Sequence, residues 1–117
     1  IRIPDEGRIE LRLPDGAANP YLLMAVILAA GLDGVKNGTD PGERLDIDMY
    51  TKAHKAPDAK RLPENLLDAL RGLEADETLT AALGGDFTDA YVKLKRDDWG
   101  KYTRHLTDWE RDTTLDC

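Results

Sequence analysis

Arg8-Ile9-Glu10-Leu11-Arg12-Leu13 alternates strictly between charged and apolar side chains. A period of two is that of a pleated strand with one face covered and the other wet. Ile9, Leu11 and Leu13 fall on one face; Arg8, Glu10 and Arg12 fall on the other. Ahead of this stretch, Ile1 and Ile3 flank Arg2, and Pro4-Asp5-Glu6-Gly7 carries turn chemistry, so residues 1–13 predict a β-hairpin. A lone two-stranded ribbon is barely stable in water, and no third stretch reads convincingly as a strand. The expected fold is mainly α with an N-terminal β-hairpin. A chain that opens in mid-strand, at Ile1, points to further sheet upstream.

The next stretch carries the same expectation. Asn19-Pro20 is an N-cap followed by proline at the first helical position, where the missing N–H costs nothing. The run Tyr21 to Ala30 is apolar on every side, which predicts a helix over 19–35 buried all round. One hairpin and a few amphipathic helices cannot enclose it, so its other walls are expected outside these residues. Residues 38–62 read as a long loop, the kind that is functional or lies against another chain. Its Asp46 and Asp48 lack the glycine and closing glutamate of a calcium loop. The remainder, 63–117, reads as a helical tail. Pro63 opens a helix with Leu66, Leu67, Leu70 and Leu73 at helical spacing. Asp76 caps a short helix over Leu79 and Leu83, which Gly84-Gly85 stops. A last helix runs from about Thr88 toward Asp112, with Tyr91, Leu94, Tyr102, Leu106 and Trp109 as its covered stripe and Gly100 as a bend.

Composition narrows the function classes. With 117 residues, 41% of them apolar and 33% charged, the chain is one globular domain at most. A net charge of −7, without a basic cluster among Lys52, Lys55, Pro57, Asp58, Lys60 and Arg61, argues against nucleic acid as a partner. Cys117 is the sole cysteine, and His54 and His105 lie far apart, which leaves no disulfide and no cysteine–histidine zinc site. The longest apolar run is too short to span a bilayer, so no membrane partner is expected and the location expected is the cytoplasm.

The compound pattern is more specific than any of these. Ile1-Arg2-Ile3-Pro4, Arg8-Ile9-Glu10-Leu11-Arg12, Pro14-Asp15, Ala18-Asn19-Pro20-Tyr21-Leu22 and Ala30-Gly31-Leu32-Asp33-Gly34 follow one another in the order and spacing of the glutamine synthetase C-terminal signature. From Asp86 onward the chain resembles the tail of that family, and its Thr-Asp-Trp-Glu run is similar to the type III-labelled bacterial branch. The resemblance implies a C-terminal fragment of the α+β glutamine synthetase catalytic domain. One departure stands out: only Asp5, Glu6 and Gly7 separate the first strand from Arg8, and the connection is longer in the best-known bacterial enzymes.

The resemblance also implies a chemistry. The family joins glutamate to ammonia with ATP: the side-chain carboxylate takes the γ-phosphoryl group, and ammonia then displaces phosphate from γ-glutamyl phosphate. Charge gathers around a transferring phosphoryl group, so divalent metal ions (Mg2+ or Mn2+) and arginines carry the stabilisation. Alternation sets Arg8, Glu10 and Arg12 about 7 Å apart on one face. By similarity, Glu10 is a metal ligand, Arg12 holds the substrate glutamate with its two-pronged guanidinium, and Arg2 and Arg8 lie on the nucleotide-phosphate side. The bland alternative is a set of exposed strand charges pairing across the hairpin.

Tyr50 lies where some members carry an adenylylated tyrosine. There the tyrosine precedes Asp-Leu-Pro, whereas here it precedes Thr51-Lys52, so an ordinary half-buried tyrosine is the favoured reading. The family's stacked rings imply a homo-oligomer. Two alternatives stay open: a sibling ligase that makes a γ-glutamyl amide from methylamine or a polyamine, and a non-catalytic acidic interaction or assembly module. With one carboxylate in the site, the fragment alone is expected to be inactive.

Overall fold

The computed structural model describes residues 1–56 and 59–114. Pro57, Asp58 and Cys117, used above, lie outside them. Two compact units divide the chain, Ile1–Thr39 and Asp40–Cys117.

The first unit holds a hairpin and a helix. Strands β1 (Arg2–Asp5) and β2 (Arg8–Glu10) pair antiparallel around a turn at Glu6-Gly7. Gly7 takes φ 71°, the left-handed region that a side chain resists. Asp5 lies opposite Arg8, yet Arg2 lies opposite Glu10, so β1 carries one residue more than β2 between these pairs. The strand predicted to reach Leu13 ends at Glu10. Arg12 and Leu13 extend beyond the ladder, and Ile3, Ile9 and Leu13 are exposed.

Helix α1 (Pro20–Asn37) starts as its sequence dictates. The Asn19 side chain accepts from the Tyr21 and Leu22 N–H groups at 3.0 and 3.2 Å, with Pro20 at N1. The helix runs past Gly31 and Gly34 and stops at Gly38, φ 60°. There the Thr39 N–H reaches the Gly34 carbonyl at 2.9 Å and the Gly38 N–H reaches Val35 at 3.3 Å, a Schellman closure. No residue of α1 is buried, and the helix packs on no other element among the described residues. Tyr21, Met24, Leu28, Leu32 and Val35, at steps of three and four, form one exposed apolar edge. These residues therefore do not supply the cover that a helix apolar on every side requires.

The second unit is helical. Residues 38–62, expected as loop throughout, include a turn of helix α2 (Met49–Lys52) and a 3-10 turn at Ala53–Lys55. Asp48 nucleates them, its carboxylate accepting from the Tyr50 N–H at 3.0 Å and the Thr51 hydroxyl at 2.9 Å. Helix α3 (Leu66–Ala75) starts at Leu66 rather than Pro63, because the Asn65 side chain caps the Asp68 N–H at 3.0 Å. Asp76 caps α4 (Glu77–Leu83) through the Leu79 N–H at 2.9 Å. Gly84 closes α4, and α5 (Gly85–Tyr102) follows at once.

Helices α3, α4 and α5 pack on one another, with Leu70 and Val92 buried between them. Thr88, also buried, satisfies its hydroxyl on the Gly84 carbonyl at 3.0 Å. Arg96 on α5 reaches Glu74 on α3 at 2.6 Å across this junction.

The long last helix is in fact two. Helix α5 passes through Gly100 and ends at Tyr102, where the Thr103 hydroxyl and the Arg104 guanidinium take the Trp99 and Gly100 carbonyls at 3.1 and 2.8 Å. Helix α6 (Asp108–Thr114) then starts afresh from a capping box. The Glu110 carboxylate accepts from the Thr107 N–H at 2.8 Å, and the Thr107 hydroxyl accepts from the Glu110 N–H at 3.2 Å. The interruption breaks the expected stripe: Leu94, Tyr102, Leu106 and Trp109 are exposed, while Thr88 and Val92 are buried.

Candidate functional site

The hairpin brings three of the predicted residues together. Glu10, the last residue of β2, stands opposite Arg2 of β1, and its Oε2 lies 3.6 Å from Arg2 Nη1. Two residues on, Arg12 returns along the same face and donates from Nε to Glu10 Oε1. Each oxygen of the carboxylate thus faces a guanidinium from a different part of the chain. Arg8 lies opposite Asp5 near the turn, on the same alternating face as Glu10.

The extra residue in β1 decides this arrangement. Had the pairing at Asp5–Arg8 continued without a slip, Ile3 would face Glu10 and Arg2 would point elsewhere. Glu10 is the most covered of the cluster, its side chain 29% exposed against 64% for Arg2 and 73% for Arg12. Its carboxyl is held below the ordinary carboxylate range. The hydrogen bond from Arg12 is the main cause; partial desolvation opposes it, and the charges of Arg12 and Arg2 add to it. Glu10 is therefore an anion at neutral pH, flanked by two permanent cations.

Such a cluster can bind anions through its arginines and a hard cation through Glu10. Magnesium or manganese is surrounded by about six oxygen ligands. Among the described residues no group of three or more His, Cys, Asp or Glu side chains gathers to hold one. Glu10 fits a divalent cation as one oxygen ligand of a set completed from elsewhere.

Tyr50 belongs to the second unit and is not part of this cluster. It sits on the first turn of α2 with its side chain fully exposed, rather than half-buried as expected. The second unit has an open hollow of its own between α3, α4 and α5, lined by Glu74, Thr80, Thr88, Asp89, Lys93 and Arg96. Sequence reasoning missed it. Glu74 and Arg96 are 22 residues apart, and no local pattern announces their pairing. The Thr107–Glu110 box was visible in the sequence as a Thr-x-x-Glu run and marked a helix start. No helix among the described residues is long and apolar enough to cross a membrane.

Comparison with known proteins matches this geometry to a lineage. The family model described as glutamine synthetase, catalytic domain, matches residues 1–114. A glutamine synthetase of Rhizobium leguminosarum bv. phaseoli is 60% identical over 116 residues, covering 99% of this chain and 27% of that protein. A glutamate–methylamine ligase of Methyloversatilis universalis is 44% identical over 119 residues, covering 99% and 26%. The solved structure of apo GmaS without ligand aligns with a TM-score of 0.91 at 62% identity, over 99% of this chain and 27% of that one. The chain thus spans about a quarter of the length of the curated relatives it matches. With its Arg-Glu-Arg strand, its Asn-Pro-capped helix and its helical tail all inside the matched residues, the chain belongs to the glutamine synthetase family.

Proposed function

We propose that residues 1–117 work as part of an ATP-dependent glutamate–ammonia ligase. In this reading glutamate is first phosphorylated on its side-chain carboxylate, and ammonia then displaces the phosphate. The observation that supports it best is the Glu10 carboxylate set between Arg2 and Arg12 inside a segment matched end to end by the catalytic-domain model.

Each residue has a distinct task. Arg12 receives a carboxylate of the substrate glutamate, because a planar fork with parallel N–H groups matches two carboxylate oxygens. Arg2 and Arg8 neutralise phosphate oxygens of ATP, where charge builds as the phosphoryl group moves. Glu10 would serve as one oxygen ligand to Mg2+ or Mn2+, and such an ion, when bound, draws charge from the phosphate oxygens. Acidic groups needed to complete that metal site lie outside this cluster, so the 117-residue chain alone is inactive. By the same resemblance the working form is a homo-oligomer of stacked rings in the cytoplasm.

The test is glutamine formation from glutamate, ammonia and ATP by a full-length ligase carrying this segment. ATP-dependent turnover that needs Mg2+ or Mn2+ and falls on Glu10→Gln supports the reading; turnover indifferent to Glu10 and Arg12 overturns the residue roles. A second reading, a ligase using methylamine in place of ammonia, is favoured by the 44% identity to the glutamate–methylamine ligase. A higher kcat/KM for methylamine than for ammonia in the same assay would select it.

A further inference from the structure

Neither carboxylate oxygen of Glu10 is without a guanidinium beside it. Oε2 faces Arg2 Nη1 at 3.6 Å, and Oε1 accepts from Arg12 Nε. In this state Glu10 is engaged as an ion-pair acceptor, and Arg12 has turned part of its fork inward. Resting on the roles proposed above, we infer that a divalent cation and Arg12 exchange on Glu10: the arriving cation displaces the guanidinium, and the released Arg12 becomes the seat for the acidic substrate.

The geometry says which arginine yields. Arg2 is the cross-strand partner of Glu10, so the hairpin ladder holds its backbone directly opposite. Arg12 lies two residues beyond the end of β2, and its side chain is 73% exposed. Reorienting it costs no ladder hydrogen bond. Its contact with Glu10 is between near neighbours on one strand face, which the backbone alternation supplies without any wider packing. A cation on Oε1 therefore replaces the more weakly held partner and leaves Arg2 to steady the other oxygen.

Two ligands that share a competitor are coupled. If the cation frees Arg12, glutamate binds more tightly to the metal-loaded protein, and glutamate in turn tightens the metal by the same factor. Arg12 thus positions Glu10 before metal arrives and serves the substrate afterwards.

The experiment uses a full-length ligase carrying this segment, with Mn2+ alone as the probe and calorimetric titration as the readout, in the absence of ATP. In the unmodified protein, saturating glutamate should lower the Mn2+ Kd about 5-fold or more. Arg12→Gln should tighten Mn2+ without glutamate, because the competitor is gone. The control is Arg8→Gln, which removes the same charge from the same strand face but not a guanidinium on Oε1. It should tighten Mn2+ less than Arg12→Gln does. Equal tightening by both variants, or weaker Mn2+ binding in Arg12→Gln, overturns the exchange and leaves only a general charge effect. Absence of any effect of glutamate on Mn2+ in the unmodified protein overturns it as well, without requiring a variant to fold. Glu10→Gln separates the two readings: unchanged Mn2+ binding there would remove Glu10 from the metal site altogether. Lost binding there, with equal effects of Arg12→Gln and Arg8→Gln, would sink only the exchange.

Discussion

The two units of the chain divide structure and chemistry unevenly. Ile1–Thr39 carries the Arg2–Glu10–Arg12 cluster but buries no side chain. Asp40–Cys117 contains the buried residues Leu70, Thr88 and Val92, yet none of the residues assigned to ATP, glutamate or metal. A site built from long, charged, solvent-facing side chains needs a scaffold that holds it rigidly, because misplaced charges lose their value within an ångström or so. The first unit does not provide that scaffold from its own residues. Its apolar helix and three exposed hairpin residues, Ile3, Ile9 and Leu13, await cover, and apolar surface on that scale promotes association. The second unit meets its own needs with caps, one small core and the Glu74–Arg96 bridge.

The sharpest way to break this comparison is Glu10→Gln in a full-length ligase. Loss of a preorganised charge at a phosphoryl-transfer site should lower kcat by about 100-fold or more, with the apparent affinity for Mg2+ and ATP weakened and the fold intact by circular dichroism. Steady-state kinetics with varied metal checks it. Activity within a few-fold of the parent would place the chemistry elsewhere.

Next in size is a stability contrast between the units. Leu70→Ala should destabilise the α3–α5 packing by about 2 kcal/mol, the low end for a buried leucine because this core is small. Met24→Ala on the exposed edge of α1 should change the isolated chain by less than about 0.5 kcal/mol. Amide hydrogen exchange reads both: protection in α3 and α5 should fall in the first variant and hold in the second. A full-length protein in which Met24→Ala costs as much as Leu70→Ala would show that α1 is covered there.

Arg12→Lys should raise the KM for glutamate about tenfold, since the ammonium keeps the charge and loses the two-pronged grip, while the KM for ATP stays near the parental value. Equal changes in both would move Arg12 to the nucleotide side.

A subtler effect concerns pH. The Glu110 carboxyl is held below its ordinary range, first by the backbone N–H of Thr107 and then by its hydroxyl. A depressed folded-state pKa stabilises the cap fully above the unfolded carboxylate pKa of about 4.3 and is lost as pH falls through the lower folded value. Nuclear magnetic resonance shifts of residues 107–114 should therefore report fraying of α6 below about pH 4, with Glu110→Gln abolishing the transition. Smallest of all is Tyr50→Phe: with the side chain fully exposed on α2, stability should move by less than about 0.5 kcal/mol.

Some of this molecule was determined by local sequence. Asn19-Pro20, Asn65 and Asp76 start helices because a short polar side chain satisfies orphan N–H groups within three residues of itself. Gly7 and Gly38 turn the chain because they alone there adopt positive φ. The alternation from Arg8 to Arg12 put three charges on one face, and Thr107-x-x-Glu110 spelled a helix start that a longer aromatic periodicity had hidden. Tertiary structure decided the rest. The one-residue slip in β1 makes Arg2, and not Ile3, the partner of Glu10, and a slip costs too little locally to be read from residue types. The Glu74–Arg96 bridge exists only because α3 and α5 pack. Periodicity can show that a face is apolar, but what covers it depends on residues far away in the chain, and so α1 reads as a core helix while these 117 residues leave it open.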